Sequence, residues 1–137
     1  MPADIVVDSS VWVDFFNKKT SPQIEKVKSF LLNNTTKSPF IILPVIMQEI
    51  LQGIEDQKFY IIIKENLYGL EFFNYDAFGL AVQAAELYRF LRKKGVTIRK
   101  SNDCLIASVC IAHNFRIIHS DKDFDQIAKY TSLKIYK

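Results

Sequence analysis

One feature of this sequence limits its possible folds more than any other: short apolar runs alternate with longer, one-sided amphipathic segments. The strand candidates are Asp4–Val7 with IVV at its centre, Phe40–Leu43, Glu71–Phe73, RIIHS at 116–120 and LKIY near the C-terminus. They are rich in Val, Ile and Phe and too short for helices. Helices are expected between them. Ser9–Phe16 opens behind Ser9 or Ser10 as N-cap. Pro22–Leu32 follows Ser21, with Ile24, Val27, Phe30 and Leu31 inward. NNTTKSP forms a loop. Pro44 begins a helix that carries Glu49 and ends near Gly53. Phe59–Asn66 reads as another, although YIII at 60–63 also suits a strand. Asp76 caps a long helix closed by Gly95, with Phe78, Ala81, Ala84, Leu87, Tyr88 and Leu91 inward. Ser101 caps a helix that stops at Asn114, with Leu105, Ile106, Val109 and Ala112 inward, and DKDFDQIAKY makes a short one. Such alternation predicts an α/β domain with a mostly parallel sheet, helices on both faces and right-handed crossovers.

Size and composition agree with one domain over residues 1–137. The chain is 49% apolar and 24% charged, has four Gly and four Pro, and shows no repeat, linker or low-complexity segment. No apolar run approaches the ~18 residues of a membrane-spanning helix, and MPADIVVD lacks the basic start of a signal peptide. A cytoplasmic protein with no membrane association is expected. Cys104 and Cys110 lie in one predicted helix, point to different parts of its surface and cannot bridge within it. They read as small buried thiols in a reducing compartment. The net charge is only +3, but RFLRKKGVTIRK at 89–100 has six cations and no acid. It is either a solvated helix end or a surface for phosphates.

The acids fall in a telling place. Asp8 ends the first strand, and Glu49 lies about one turn into the helix after the second. Asp103 is in the first turn of its helix, and Asp121 directly follows RIIHS, with Asp123 and Asp125 behind it. In an open parallel sheet the carboxyl ends of the strands share one edge, where ligands bind. Each acid alone reads most simply as a helix cap or a solvated residue. Together they map to one edge. Two like charges ~4 Å apart at an effective dielectric near 20 repel by about 4 kcal/mol, and a hard divalent cation such as Mg2+ or Mn2+ removes that penalty. The two His and two Cys lack ligand spacing for softer metals. Clustered carboxylates and hard cations suit metal-assisted phosphodiester hydrolysis.

With these residues assembled, the chain resembles the PIN-domain ribonucleases and, within them, the VapC-type toxins of toxin–antitoxin pairs. The segments that carry the likeness are IVVDSSVWVDFF at 5–16, QEILQG at 48–53, NDCLIASVCIAHN at 102–114 and IIHSDKDFDQIA at 117–128. The resemblance implies a three-layer α/β/α sandwich around a five-stranded sheet. It implies an endoribonuclease dependent on Mg2+ or Mn2+, with Asp8, Glu49, Asp103 and Asp121 as its catalytic, metal-site acids. Asp123 matches an accessory acid. Ser10 and Ser120 stand where the family tends to place a hydroxyl near the first and last acids, either to hydrogen-bond a carboxylate or to cap a helix. The likeness favours Arg99 and Lys100 as contacts to RNA phosphates. It also implies a homodimer and a cognate antitoxin, for which Trp12, Phe15 and Phe16 are groove residues unless they simply pack in the core.

Other readings are a PIN-fold processing nuclease outside a toxin pair, a non-catalytic RNA-binding module of the same fold, and an aspartate-nucleophile phosphotransferase of the haloacid-dehalogenase kind. The non-catalytic module would lack one or more of the acids, all of which are present. The phosphotransferase usually has Asp-x-Asp after its first strand, where this chain has Asp8-Ser9-Ser10.

Overall fold

In a computed structural model, residues 3–33 and 38–137 are described, side chains at 30–33 excepted. The inward assignments of Phe30 and Leu31, and most of the loop NNTTKSP, lie outside the described residues. The order of elements is β1 (Ile5–Val7), α1 (Ser9–Phe16), α2 (Pro22–Asn33), β2 (Phe40–Ile42), α3 (Pro44–Gln52), α4 (Gln57–Tyr68), β3 (Glu71–Phe72), α5 (Ala77–Lys93), α6 (Ser101–His113), β4 (Arg116–Ile118), α7 (Lys122–Tyr130) and β5 (Lys134–Ile135).

The five strands form one sheet in the order β3-β2-β1-β4-β5. Every pairing is parallel, so the sheet is wholly rather than mostly parallel. The chain walks from β1 outward to β3, then crosses back to β4 and β5. With right-handed crossovers, the first walk puts α1–α4 on one face and the second puts α5–α7 on the other. The packing partners agree: α1 meets α2 and α3, whereas α6 meets α5 and α7. The result is an α/β/α sandwich. β1, β2 and most of β4 are buried, as a doubly covered parallel sheet requires.

The direction of winding reverses between β1 and β4. That is the topological switch point, where neighbouring loops diverge and leave a crevice. The register there is Val7 opposite Ile118, and the Asp8 amide donates to the Ile118 carbonyl at 2.9 Å. Asp8 and the residues after β4 therefore leave the sheet side by side.

Some local expectations need correction. Asp8 itself, rather than Ser9 or Ser10, caps α1, and its carboxylate accepts from the Ser10 amide. Lys100 occupies the cap position of α6 without a side-chain bond, so Ser101 is its first helical residue. On α5 the inward stripe is Leu80, Ala84, Leu87, Tyr88 and Leu91. Phe78 is 89% exposed, and Ala81 and, on α6, Ala112 are also exposed. The α5 sequence is apolar on more than one side, so the expected stripe holds from Ala84 to Leu91 but begins wrongly at Phe78 and Ala81, where Leu80 faces the core instead. Both cysteines are free and buried.

Candidate metal centre

The site forms where three strand-to-helix junctions and the start of α6 meet. Asp8 is placed by the rigid end of β1 and is 4% exposed. Its Oδ2 accepts from the Ser10 amide at 3.2 Å and the Ser10 hydroxyl at 2.6 Å. The Ser120 hydroxyl, just past β4, donates to Ser10 Oγ at 3.1 Å. The two serines thus bridge the switch point and hold one oxygen of Asp8. The other oxygen, Oδ1, is buried without a hydrogen-bond partner.

Asp103 comes from the first turn of α6 and is 3% exposed. Its Oδ2 is the second buried carboxylate oxygen without a partner among the described residues. Burial, then the charges of Asp8, Asp121 and Asp123, raise its pKa to about 7, against a small opposing pull from Lys100. Asp121 caps α7, and its Oδ1 accepts the Asp123 amide at 2.9 Å. Carboxylate oxygens of Asp103, Asp121 and Asp123 can all lie within 4.8 Å of one another. Like charges are thereby brought together, with Asp8 from the other end of the sequence near enough to act on Asp103, and buried carboxylate oxygens without partners are what a cation would satisfy. Oxygen-only donors suit a hard divalent ion, so the residues present fit such a metal.

Glu49 stands outside this three-acid group. It is half-buried on α3, and its Oε1 accepts from the Ser9 hydroxyl at 3.3 Å. Ser9 is a contact that the sequence reading passed over, although its position directly after Asp8 was a usable signal. Arg99 does not project freely toward solvent-borne phosphate. Its backbone N–H donates to Asp123 Oδ2 at 3.1 Å, and its guanidinium lies 3.4 Å from Asp121 and 3.6 Å from Asp123. The side chain is nonetheless 72% exposed. Lys100 is exposed beside it. Trp12 belongs to the core at 3% exposed, while Phe15 and Phe16 are half-buried against it. These three residues and Asn66, Leu67 and Leu70 line a cavity of about 260 Å3.

The PIN domain family matches residues 5–130. VapC ribonuclease Mb1587 of Mycobacterium bovis is 35% identical over 130 residues, which is 95% of this chain and 96% of that protein. Ribonuclease VapC11 of Mycobacterium tuberculosis matches to the same extent. Among solved structures, VapBC2 from Rickettsia felis bound to a promoter DNA fragment superposes with a TM-score of 0.73 at 22% identity, covering 96% of each chain. DNA-bound VapBC from Salmonella typhimurium gives 0.73 at 18% identity, covering 99% of this chain and 98% of that one. The family match spans most of the chain and the VapC relatives match nearly all of it, and the chain belongs to the PIN-domain family, in its VapC-type branch.

Proposed function

We propose that this chain is a Mg2+- or Mn2+-dependent endoribonuclease, a single PIN domain over residues 1–137 acting as the toxin of a toxin–antitoxin pair. The observation that carries the reading is the pair of buried, unpartnered carboxylate oxygens on Asp8 and Asp103, beside Asp121 and Asp123. Asp8, Asp103, Asp121 and Asp123 hold the cation. When bound, it supplies Lewis-acid stabilisation of the scissile phosphate and makes water a better nucleophile at neutral pH. Ser10 and Ser120 keep Asp8 in one orientation. Glu49, tied to Ser9 at the crevice edge, orients the attacking water or shares in ligation. Asp103 would have to be ionised to serve as a ligand, because ligating carboxylates bind as anions. Arg99 and Lys100 flank the acids and meet RNA phosphates, which provide affinity without sequence choice.

The antitoxin part of the reading is supported by the names of the matched toxins and complexes and by the aromatic-lined cavity at Trp12, Phe15 and Phe16. A homodimer and a cytoplasmic location belong to the same reading. No helix among the described residues is long and apolar enough to cross a membrane.

The test is cleavage of structured RNA by the purified chain with Mg2+, with EDTA, and with Asp8→Asn. Asn caps a helix as well as Asp does, so this variant removes a charge while keeping the junction. Cleavage only by the Mg2+-loaded wild type is expected. Cleavage that persists in both EDTA and the variant would refute the metal mechanism.

A further inference from the structure

We propose that His119 is a positioning residue for the acid cluster: its imidazole accepts the Asp121 backbone N–H on Nδ1, with Asp125 beside Nε2, and fixes where the Asp121 carboxylate stands. The proposal rests on the metal-centre reading above and adds a residue to it.

His119 is the residue after β4 and lies opposite Asp8 by continuation of the Val7–Ile118 register. It is 7% exposed, with its ring against Phe124 at 5.2 Å between centroids. Nδ1 accepts the Asp121 backbone N–H at 3.1 Å. Nε2 lies 3.2 Å from Asp125 Oδ1, an ion-pair distance. A backbone amide can only donate, so Nδ1 must offer its lone pair. The ring proton is then on Nε2, the nitrogen beside the Asp125 carboxylate.

The consequence falls on Asp121. This residue turns the chain from β4 into α7, and its carboxylate accepts the Asp123 amide as the cap of that helix. Its own N–H is anchored by His119. The bonds therefore run in series from His119 to the Asp121 backbone, and from the Asp121 carboxylate to the Asp123 backbone. Two of the three clustered acids are placed by this chain. Groups that orient metal ligands without touching the metal typically alter metal affinity by about 10- to 100-fold when removed.

The experiment compares Mn2+ binding to the full-length wild type, His119→Leu and His119→Asn by titration calorimetry. Asn restores an acceptor for the N–H two residues on, as in an Asx turn, but loses the ring that packs on Phe124. Leu keeps apolar bulk and loses the acceptor. Positioning predicts a loss of about tenfold for Leu and an affinity within about threefold of wild type for Asn. The opposite ranking, or equal affinity for wild type and Leu, overturns the proposal and leaves the metal reading intact. If the wild type fails to bind Mn2+, the metal reading falls and this proposal with it. Nitrogen-15 NMR of the metal-free wild type provides a check that needs no variant: the His119 proton must be on Nε2 and Nδ1 must be bare. A proton on Nδ1 overturns the assignment.

Discussion

At the residue scale, the charge balance of the acid cluster turns on Asp103 and Arg99. The Asp103 pKa, near 3.8 in an unfolded chain, rises to about 7 in the folded one. The metal-free fold thus holds this proton more tightly than the unfolded chain does. Its stabilising contribution is full below pH 4 and is lost as pH climbs through about 7. At most about 4 kcal/mol is involved, at 1.36 kcal/mol per pKa unit. In EDTA, the melting temperature of the wild type should decline across pH 4–7 more steeply than that of Asp103→Asn, whose amide does not titrate. Parallel curves in a thermal melt series would contradict the assignment. Arg99 is the cation on Asp121 and Asp123 in the absence of metal. Because its guanidinium is mostly exposed, its hold on them is of the size of a surface ion pair, at most about 1 kcal/mol. Arg99→Gln should then tighten Mn2+ binding by no more than about fivefold in a calorimetric titration, and a loss of affinity would show that Arg99 supports the acids rather than competes for them.

At the element scale, the acids double as parts of the fold. Asp8 caps α1 and Asp121 caps α7. Asp8→Ala should therefore destabilise the metal-free chain by about 1 kcal/mol, whereas Asp8→Asn should leave it nearly unchanged. A urea titration separates the two variants, and equal losses would mean that the cap carries little. Gly95 gives a cleaner case of backbone demand. It closes α5 at φ +83, and a methyl group there would meet no atom within 4 Å, so any cost of Gly95→Ala comes from conformation alone. The elements were legible in the sequence because apolar periodicity, caps such as Ser21 and Asp76, and a helix-opening Pro44 are local signals. The first turn of the inward face of α5 was not, since Phe78, Val82 and Phe90 are exposed on a helix that also carries Leu80 and Leu91 in the core. The acids were legible one by one. Their convergence could be argued only through sheet topology. The engagement of Arg99 with acids more than twenty positions away depends on how a loop folds over the crevice, and no local pattern encodes that.

At the scale of the whole molecule, the +3 charge is unevenly divided. Acids collect at the switch point, while Arg89, Arg92, Lys93, Lys94 and Lys100 lie exposed along the end of α5 and the approach to α6. A polyanion would be drawn to that rim and threaded past the acids only where a cation neutralises them. Lys100→Gln should weaken RNA binding and reduce the slope of log affinity against log salt by about 0.7, the value for one single-strand phosphate. Arg99→Gln should flatten the slope less, because part of its charge is already spent on Asp121 and Asp123. Filter binding at several salt concentrations would reveal the difference, and an unchanged slope for Lys100→Gln would remove that residue from the contact surface.

The strands of this sheet are only two or three residues long. An extra residue inserted in β1 would advance Asp8 by ~3.3 Å and turn it to the opposite side of the pleat. Hydrophobic neighbours could absorb such a misalignment, so a chain with ordinary circular dichroism could still have lost its catalytic pocket. Activity is thus a finer gauge of correct threading than spectroscopy, and the neighbourhood of β1 is the poorest place in this protein for an insertion or a graft.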